Sequence, residues 1–306
     1  MSRLRNLSLF LVLAAVWGSA FVAIKAGLAY FPPVLFAALR YDVAGVVMLV
    51  YATFAAERWR PRTADEWRLV VVSGVLMIAA YQAFLFVGEQ STTSAAAAVI
   101  VGLNPVLTTG FARGLLPGER LEVAGVVGLA LGLAGVALIA GADARAFLAG
   151  EPIGEVLVLA AVAAFALGSV LTEGNDATLP VPTMEAWAML VGAVVLHAAS
   201  ALLGESVAAV SWTPEAVAGL LYLAIVASAL GFLLYFDLLG RLGPVEINLV
   251  SYVTPVFAAV VGWLWLSEVV DVGTAGGFLL IVVGFALIKR RALSYALGSG
   301  GAQSEG

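Results

Sequence analysis

The chain has 306 residues, 62% of them hydrophobic and 11% charged, with a mean hydropathy of +1.06 and a formal net charge of −5. A soluble domain carries about 25% charged residues, and no soluble fold of this size has interior enough for so much apolar surface, so the solvent must be a lipid bilayer. The absence of cysteine excludes disulfides, thiol catalysis and Cys-ligated metals, and a single histidine, His197, argues against a polyhistidine metal site.

A helix needs about 20 apolar residues to cross the ~30 Å hydrocarbon core. Ten segments qualify: 7–28, 34–55, 69–88, 94–115, 121–140, 154–173, 183–203, 215–238, 245–266 and 272–288. Short connections carrying Pro, Gly or charge separate them, among them Phe31-Pro32-Pro33, Trp59-Arg60-Pro61-Arg62 and Leu179-Pro180-Val181-Pro182. The runs do not alternate as barrel strands do. The expected fold class is therefore an all-α integral membrane protein with ten transmembrane helices. The first run is too long for a signal-peptide core and continues into a membrane-length segment. Residues 292–306 are expected to form a disordered tail.

The stretch Ser94–Ile139 recurs as Val245–Ile288. Pro105 answers to Pro255 at an offset of 150, and Glu119 to Glu268, Gly128 to Gly277 and Gly135 to Gly284 at 149. Leu11–Val16 likewise recurs as Leu157–Val162. The halves 1–142 and 143–291 thus read as copies of one five-helix unit. Five is odd, so the second copy enters the membrane from the opposite face. Inverted repeats of this kind typify secondary transporters, whose site lies near the midplane between the repeats.

Orientation follows from Lys and Arg. With the N-terminus in the cytoplasm, twelve basic residues fall inside, including Arg58, Arg60, Arg62, Arg68, Arg113, Arg241 and Lys289, against Arg145 alone outside. Both termini are expected on the cytoplasmic side of the cell membrane.

The residues Trp17–Lys25, Leu39-Arg40, Asn104-Pro105 with Gly118-Glu119-Arg120, and Thr254-Pro255 with Ser267-Glu268 and a glycine-rich last helix resemble, in order and spacing, the EamA-type transporters of the drug/metabolite transporter superfamily. That resemblance covers essentially the whole chain. It implies a ten-helix alternating-access carrier, commonly an exporter of amino acids or other small metabolites, with a cavity lined by both halves. The second half departs from the pattern where Ala163–Ala166 replaces the tryptophan-bearing stretch, so any aromatic wall is asymmetric.

Proline lacks an N–H, so Pro105 and Pro255 deprive the carbonyls of Val101 and Ser251 of helical partners and bend their helices. In lipid such carbonyls persist only where protein or water satisfies them. Asn104, Pro105, Thr254 and Pro255 are accordingly read as hinge or gate positions, a packing kink being the alternative. Arg40 lies about 10 Å into the second segment at 1.5 Å per residue, where an arginine costs ~2.5–3.5 kcal/mol unless paired. It reads as a gate or anion contact, or else as a structural ion pair. Asp42 cannot share its face. Lys25 is near enough to the edge to snorkel, and Glu89 belongs to the same outer third.

The remaining polar and aromatic candidates for a solute site are Trp17, Tyr81, Gln82, Tyr235, Asn248, Ser251 and Tyr252. Of these, Asn248, Ser251 and Tyr252 share one helix face, which lipid would turn inward. Together they fit an apolar pocket with a few fixed donors and acceptors, and interhelical hydrogen bonding is the plainer alternative. Glu119 and Glu268 read as helix caps, Asp237 as the partner of Arg241, and His197 as a satisfied structural residue. The glycines of the fifth and tenth segments permit close packing, within a monomer or in a homodimer.

The expected function is secondary transport of a small organic solute. No HExxH, paired mid-membrane carboxylates or Ser-His set supports a membrane enzyme, and a receptor or structural role fits the duplication poorly. No cofactor and no nucleic-acid partner are expected; the partners are the solute and the bilayer.

Overall fold

The computed structural model describes residues 2–115, 123–139, 152–173, 179–243, 247 and 249–288. Among them the chain forms α1 (Ser2–Gly27), α2 (Pro33–Ala55), α3 (Ala64–Gly88), α4 (Ser94–Leu115), α5 (Val123–Ile139), α6 (Ile153–Glu173), α7 (Val181–Leu202), α8 (Pro214–Leu242), α9 (Val250–Leu266) and α10 (Val272–Ile288). Seven of these, α1–α4 and α6–α8, are long and apolar enough to cross a membrane, while α5, α9 and α10 are shorter apolar helices. The chain is an all-helical, multi-pass membrane protein. Glu119 and the expected tail 292–306 lie outside the described residues.

Helix starts follow the local chemistry. Thr63 and Glu66 form a reciprocal capping box at α3, and Thr93 and Thr213 accept from Ala96 N and Ala216 N at α4 and α8. Prolines open α2, α7 and α8, where the missing N–H would have had no partner anyway. Gly243, at φ +82°, ends α8, and Ser267, at φ 56°, ends α9 in the left-handed region.

Contacts at one end of the bundle fix the direction of every helix. Glu205, just past α7, accepts from the amides of Val34 and Leu35 at the start of α2. Ser211, ahead of α8, donates to Tyr30 O beyond α1. The carboxylate of Glu268, past α9, accepts from Ser94 N at 3.1 and 3.2 Å, at the start of α4. Gly154 of α6 lies against Gly88 of α3, and Gly273 of α10 against Leu138 of α5. This end, called here the Glu268 end, gathers the ends of odd-numbered helices and the starts of even-numbered ones. Each helix from α1 to α5 therefore runs opposite to the one five places later.

Packing is reciprocal in the same sense. The most extensive contacts are α5 with α10, α2 with α7 and α3 with α6, and α1 packs on α9 as α4 packs on α6. In the α5–α10 pair, a β-carbon at Gly277 would stand 2.5 Å from Gly135 O, and one at Gly284 equally close to Gly128 O. The partners across the crossing are the repeat mates exchanged. The glycines expected to permit close approach do so here, and backbones meet where side chains would keep them apart.

Helices α3 and α8 share a further feature. Each contains a widened π-helical segment, Ser73–Ala80 and Tyr222–Leu230, beginning at equivalent positions of the two halves. Such segments rotate the residues that follow and leave carbonyls without their α-helical donors.

Candidate functional site: a cavity between the two halves

A cavity of about 160 Å³ lies where α1–α4 meet α6, α8 and α9. A single water needs roughly 10–15 Å³ on this measure, so the space suits a small solute. Its wall is mainly apolar and aromatic: Trp17, Ala20, Phe21 and Ile24 of α1, Tyr41 and Leu85, Ala98 and Val101 of α4, Phe165 of α6, and Ala227 and Phe232 of α8. Polar groups enter at Arg40, Tyr81, Gln82, Asn104, Ser251 and Thr254.

Arg40 is 6% exposed. Its Nε donates to Ser228 Oγ at 2.9 Å, and its guanidinium lies 5.2 Å from the Tyr41 ring centre and 6.0 Å from that of Phe86. Ser228 in turn donates to Leu223 O, five residues back, within the π-helical segment of α8. No carboxylate forms an ion pair with Arg40 among the described residues. A desolvated guanidinium held by a hydroxyl and two ring faces is an unfilled demand for an anion. Asp42 faces elsewhere, 2.7 Å from His197 Nε2.

The same π-helical segment seats Trp17. Gly231 N turns to Val226 O and Ser228 O, leaving Ala227 O to accept the Trp17 indole N–H at 3.2 Å. Gly231 is required here, because a β-carbon would come within 2.8 Å of Trp17 Nε1. Tyr235 and Phe232 pack on the indole at 5.5 and 5.9 Å between ring centres. Across the cavity Gln82 donates to the Tyr41 hydroxyl at 2.7 Å, and Gln82 Oε1 is buried with no protein partner. It is available as an acceptor.

The two proline helices differ. α4 is broken at Gly102–Leu103, and Pro105 sits in the first turn after the break. α9 runs continuously through Pro255. Gly102, in the broken turn of α4, lies against Ser251 O, where a β-carbon would come within 3.3 Å. The carbonyl freed by Pro255 thus meets the interruption in α4.

Of the residues expected at the site, the cavity brings together Trp17, Arg40, Tyr81, Gln82, Asn104, Ser251 and Thr254. Tyr235 stands behind Trp17. Tyr252 turns away, its ring 4.8 Å from Phe285 and its hydroxyl without a partner. Pro255 is buried within α9. Asn248 lies outside the described residues. The sequence reading missed Phe21, Tyr41, Phe165, Phe232 and Ser228, and also Glu185 of α7, whose carboxylate is within electrostatic reach of Tyr41 and Tyr235. Ser228 and Glu185 carried a usable signal, being polar groups within apolar helices.

At the Glu268 end lies the α3–α4 corner, between the cavity residues Leu85 and Ala98. Lys25 does not snorkel but donates from Nζ to Glu89 O at 2.6 Å, Thr92 O at 2.8 Å and Gln90 O at 3.3 Å. The three carbonyls match the three N–H donors of the ammonium.

A model of the EamA-like transporter family matches residues 5–141 and again 152–290. The "Uncharacterized transporter YvbV" of Bacillus subtilis is 29% identical, over 94% of this chain and 92% of that protein. The "Uncharacterized inner membrane transporter YedA" of Escherichia coli is 32% identical over 81% and 78%. A "Probable terminal-alkyne amino-acid exporter" of Streptantibioticus cattleyicolor is 31% identical over 92% and 93%. A solved crystal structure matches with a TM-score of 0.63 at 22% identity, covering 93% of this chain and 97% of that one, which speaks to the fold alone.

Proposed function

The chain belongs to the EamA-like transporter family, and within it we propose an exporter of small organic solutes that carry a carboxylate, amino acids among them, working by alternating access. The single observation that carries the substrate class is Arg40. A buried cation with no paired carboxylate among the described residues, in a wall mainly apolar and aromatic, matches a solute with one anionic group and an apolar body. Gln82 Oε1 and Asn104 supply acceptors for an ammonium group. An amino-acid relative among exporters is consistent with this reading.

Ten membrane spans in two inverted five-helix repeats provide the machine. The opposed directions of helices five places apart and the exchanged glycine pairs support that arrangement. Arg58 and Trp59, at the end of α2, hold Thr183 and Trp187 of α7 at the end of the bundle away from Glu268. The basic residues Arg58, Arg60, Arg62, Arg68 and Arg241 belong to that end, which favours placing it, and both termini, in the cytoplasm. The freed Ser251 carbonyl against the α4 break gives the two halves a joint where they can rearrange.

Flux in proteoliposomes tests the reading. Counterflow of labelled amino acids and of neutral isosteres should show transport only of solutes bearing a carboxylate. Equal transport of amides and esters would overturn the substrate class, and no flux of any solute would overturn the carrier.

A further inference from the structure

The α3–α4 corner contains a carboxylic acid that the transport cavity does not use. Glu89, the first residue beyond α3, is 0% exposed, and neither carboxyl oxygen has a hydrogen-bond partner among the described residues. Its own backbone carbonyl is one of the three that hold Lys25. On its other flank, Glu268 holds the Ser94 amide and lies close to the hydroxyl, Ser94 Oγ, as well. Two pins, one from α1 and one from the loop after α9, therefore close a corner that joins Leu85 to Ala98 across the cavity.

We propose that Glu89 is a proton-binding site that latches this end of the cavity: protonated, it leaves the corner pinned, and loss of its proton releases it. A neutral carboxyl group can stay buried without partners at modest cost, whereas a carboxylate cannot. The ionised group would compete for Lys25 Nζ, since a charge-assisted bond to carboxylate is stronger than one to a carbonyl. Gln90 and Thr92 would then lose their donor. It would also repel Glu268, the second pin.

Among the described residues, five charged groups face the corner. Lys25 of α1, Arg40 of α2 and Glu268 act on Glu89 directly. Glu155 of α6 and Asp271 before α10 line the recess that Lys25 and Gln90 share. Burial pushes the Glu89 carboxyl well above the usual carboxylate range, against the pull of Lys25 and Arg40 and with the push of Glu268. Its affinity for a proton is thus higher in the closed corner than in a solvated, open one. The closed form is favoured below the ordinary carboxylate value and loses its advantage as pH rises towards the closed-state value.

The absence of native cysteine makes the corner directly readable. Spin labels on Gln90→Cys and on Val207→Cys, in the exposed turn between α7 and α8, report the opening as a distance in the full chain in nanodiscs. No solute is present, so failure here leaves the carrier reading standing, and failed flux leaves this one. The ratio of open to closed forms should rise about tenfold per pH unit between the two titration limits. Glu89→Gln should hold the closed distance at all pH values, Lys25→Met should populate the open distance even in acid, and Glu155→Gln should keep the native pH dependence. A native distance independent of pH, or an unchanged pH dependence in Glu89→Gln, overturns the proposal. Should Glu89→Gln fail to fold, the native chain decides by infrared spectroscopy. The carbonyl band of a protonated carboxylic acid must bleach in step with opening, and a band that persists through opening overturns the latch.

Discussion

Arg40 Nε and Ser228 Oγ stand 2.9 Å apart, and this contact joins the second helix of one half to the third helix of the other inside the cavity wall. The serine accepts from one edge of the guanidinium, which lies over the rings of Tyr41 and Phe86. Its remaining N–H groups have no hydrogen-bond partner among the described residues. Arg40→Lys keeps the charge but loses the planar fork, and Arg40→Met loses both. A bond to a charged group contributes about 1.5–3 kcal/mol, so carboxylate solutes should bind roughly 10- to 100-fold more weakly to Arg40→Met. Solute-dependent quenching of cavity tryptophan fluorescence checks this, and unchanged affinity would remove Arg40 from the site.

Gly231→Ala tests the seat of Trp17. The added β-carbon must displace the indole, which sits 2.8 Å from where it would be built. We expect slower flux with little change in melting temperature, because the indole has room to move into the cavity. Normal flux would show that the position of Trp17 does not matter to transport.

Glu268→Gln weakens the cap on α4 supplied by the other half. Loss of a capping side chain costs about 0.5–2 kcal/mol, and the amide retains part of the interaction. A fall of a few degrees in the melting temperature of the detergent-solubilised protein is expected. An unaltered melting temperature would show that the Ser94 contact contributes no stability.

Tyr252 separates packing from solute contact. Its ring lies on Phe285 and its hydroxyl has no partner. Tyr252→Phe should therefore be neutral in both stability and flux. Tyr252→Ala should destabilise by about 3–5 kcal/mol, as large aromatic truncations in cores do. Lost flux in Tyr252→Phe would place the hydroxyl in the transport path.

Pro255→Ala restores an N–H that can bond Ser251 O and so stiffens α9 at the joint with Gly102. Transport rates should fall while the ranking of solutes stays the same. A changed ranking at normal rate would assign Pro255 to selectivity instead.

What the sequence by itself determined follows from period, length and charge. Apolar runs of membrane length made the helices, and the 149–150 residue offset exposed the duplication. An arginine within such a run had to face protein, so Arg40 was legible as part of a wall. Only the tertiary structure decided which neighbours those groups meet. Ser251 and Tyr252 belong to one polar stripe, yet adjacent residues diverge by about 100° on a helix, so one reaches the cavity and the other reaches Phe285. The π-helical segments of α3 and α8 have no compositional mark, because SGVLMIAA and YLAIVASAL read as ordinary apolar helix. It is their widened turns that free Ala227 O for Trp17 and aim Ser228 at Arg40. The latch was equally hidden. Lys25, Glu89 and Glu268 are separated by 64 to 243 residues along the chain, and a lysine near a membrane edge reads as a snorkelling side chain. Only when three helix ends are brought to one corner does that ammonium meet three carbonyls, and the neighbouring carboxyl group meet none of its own partners.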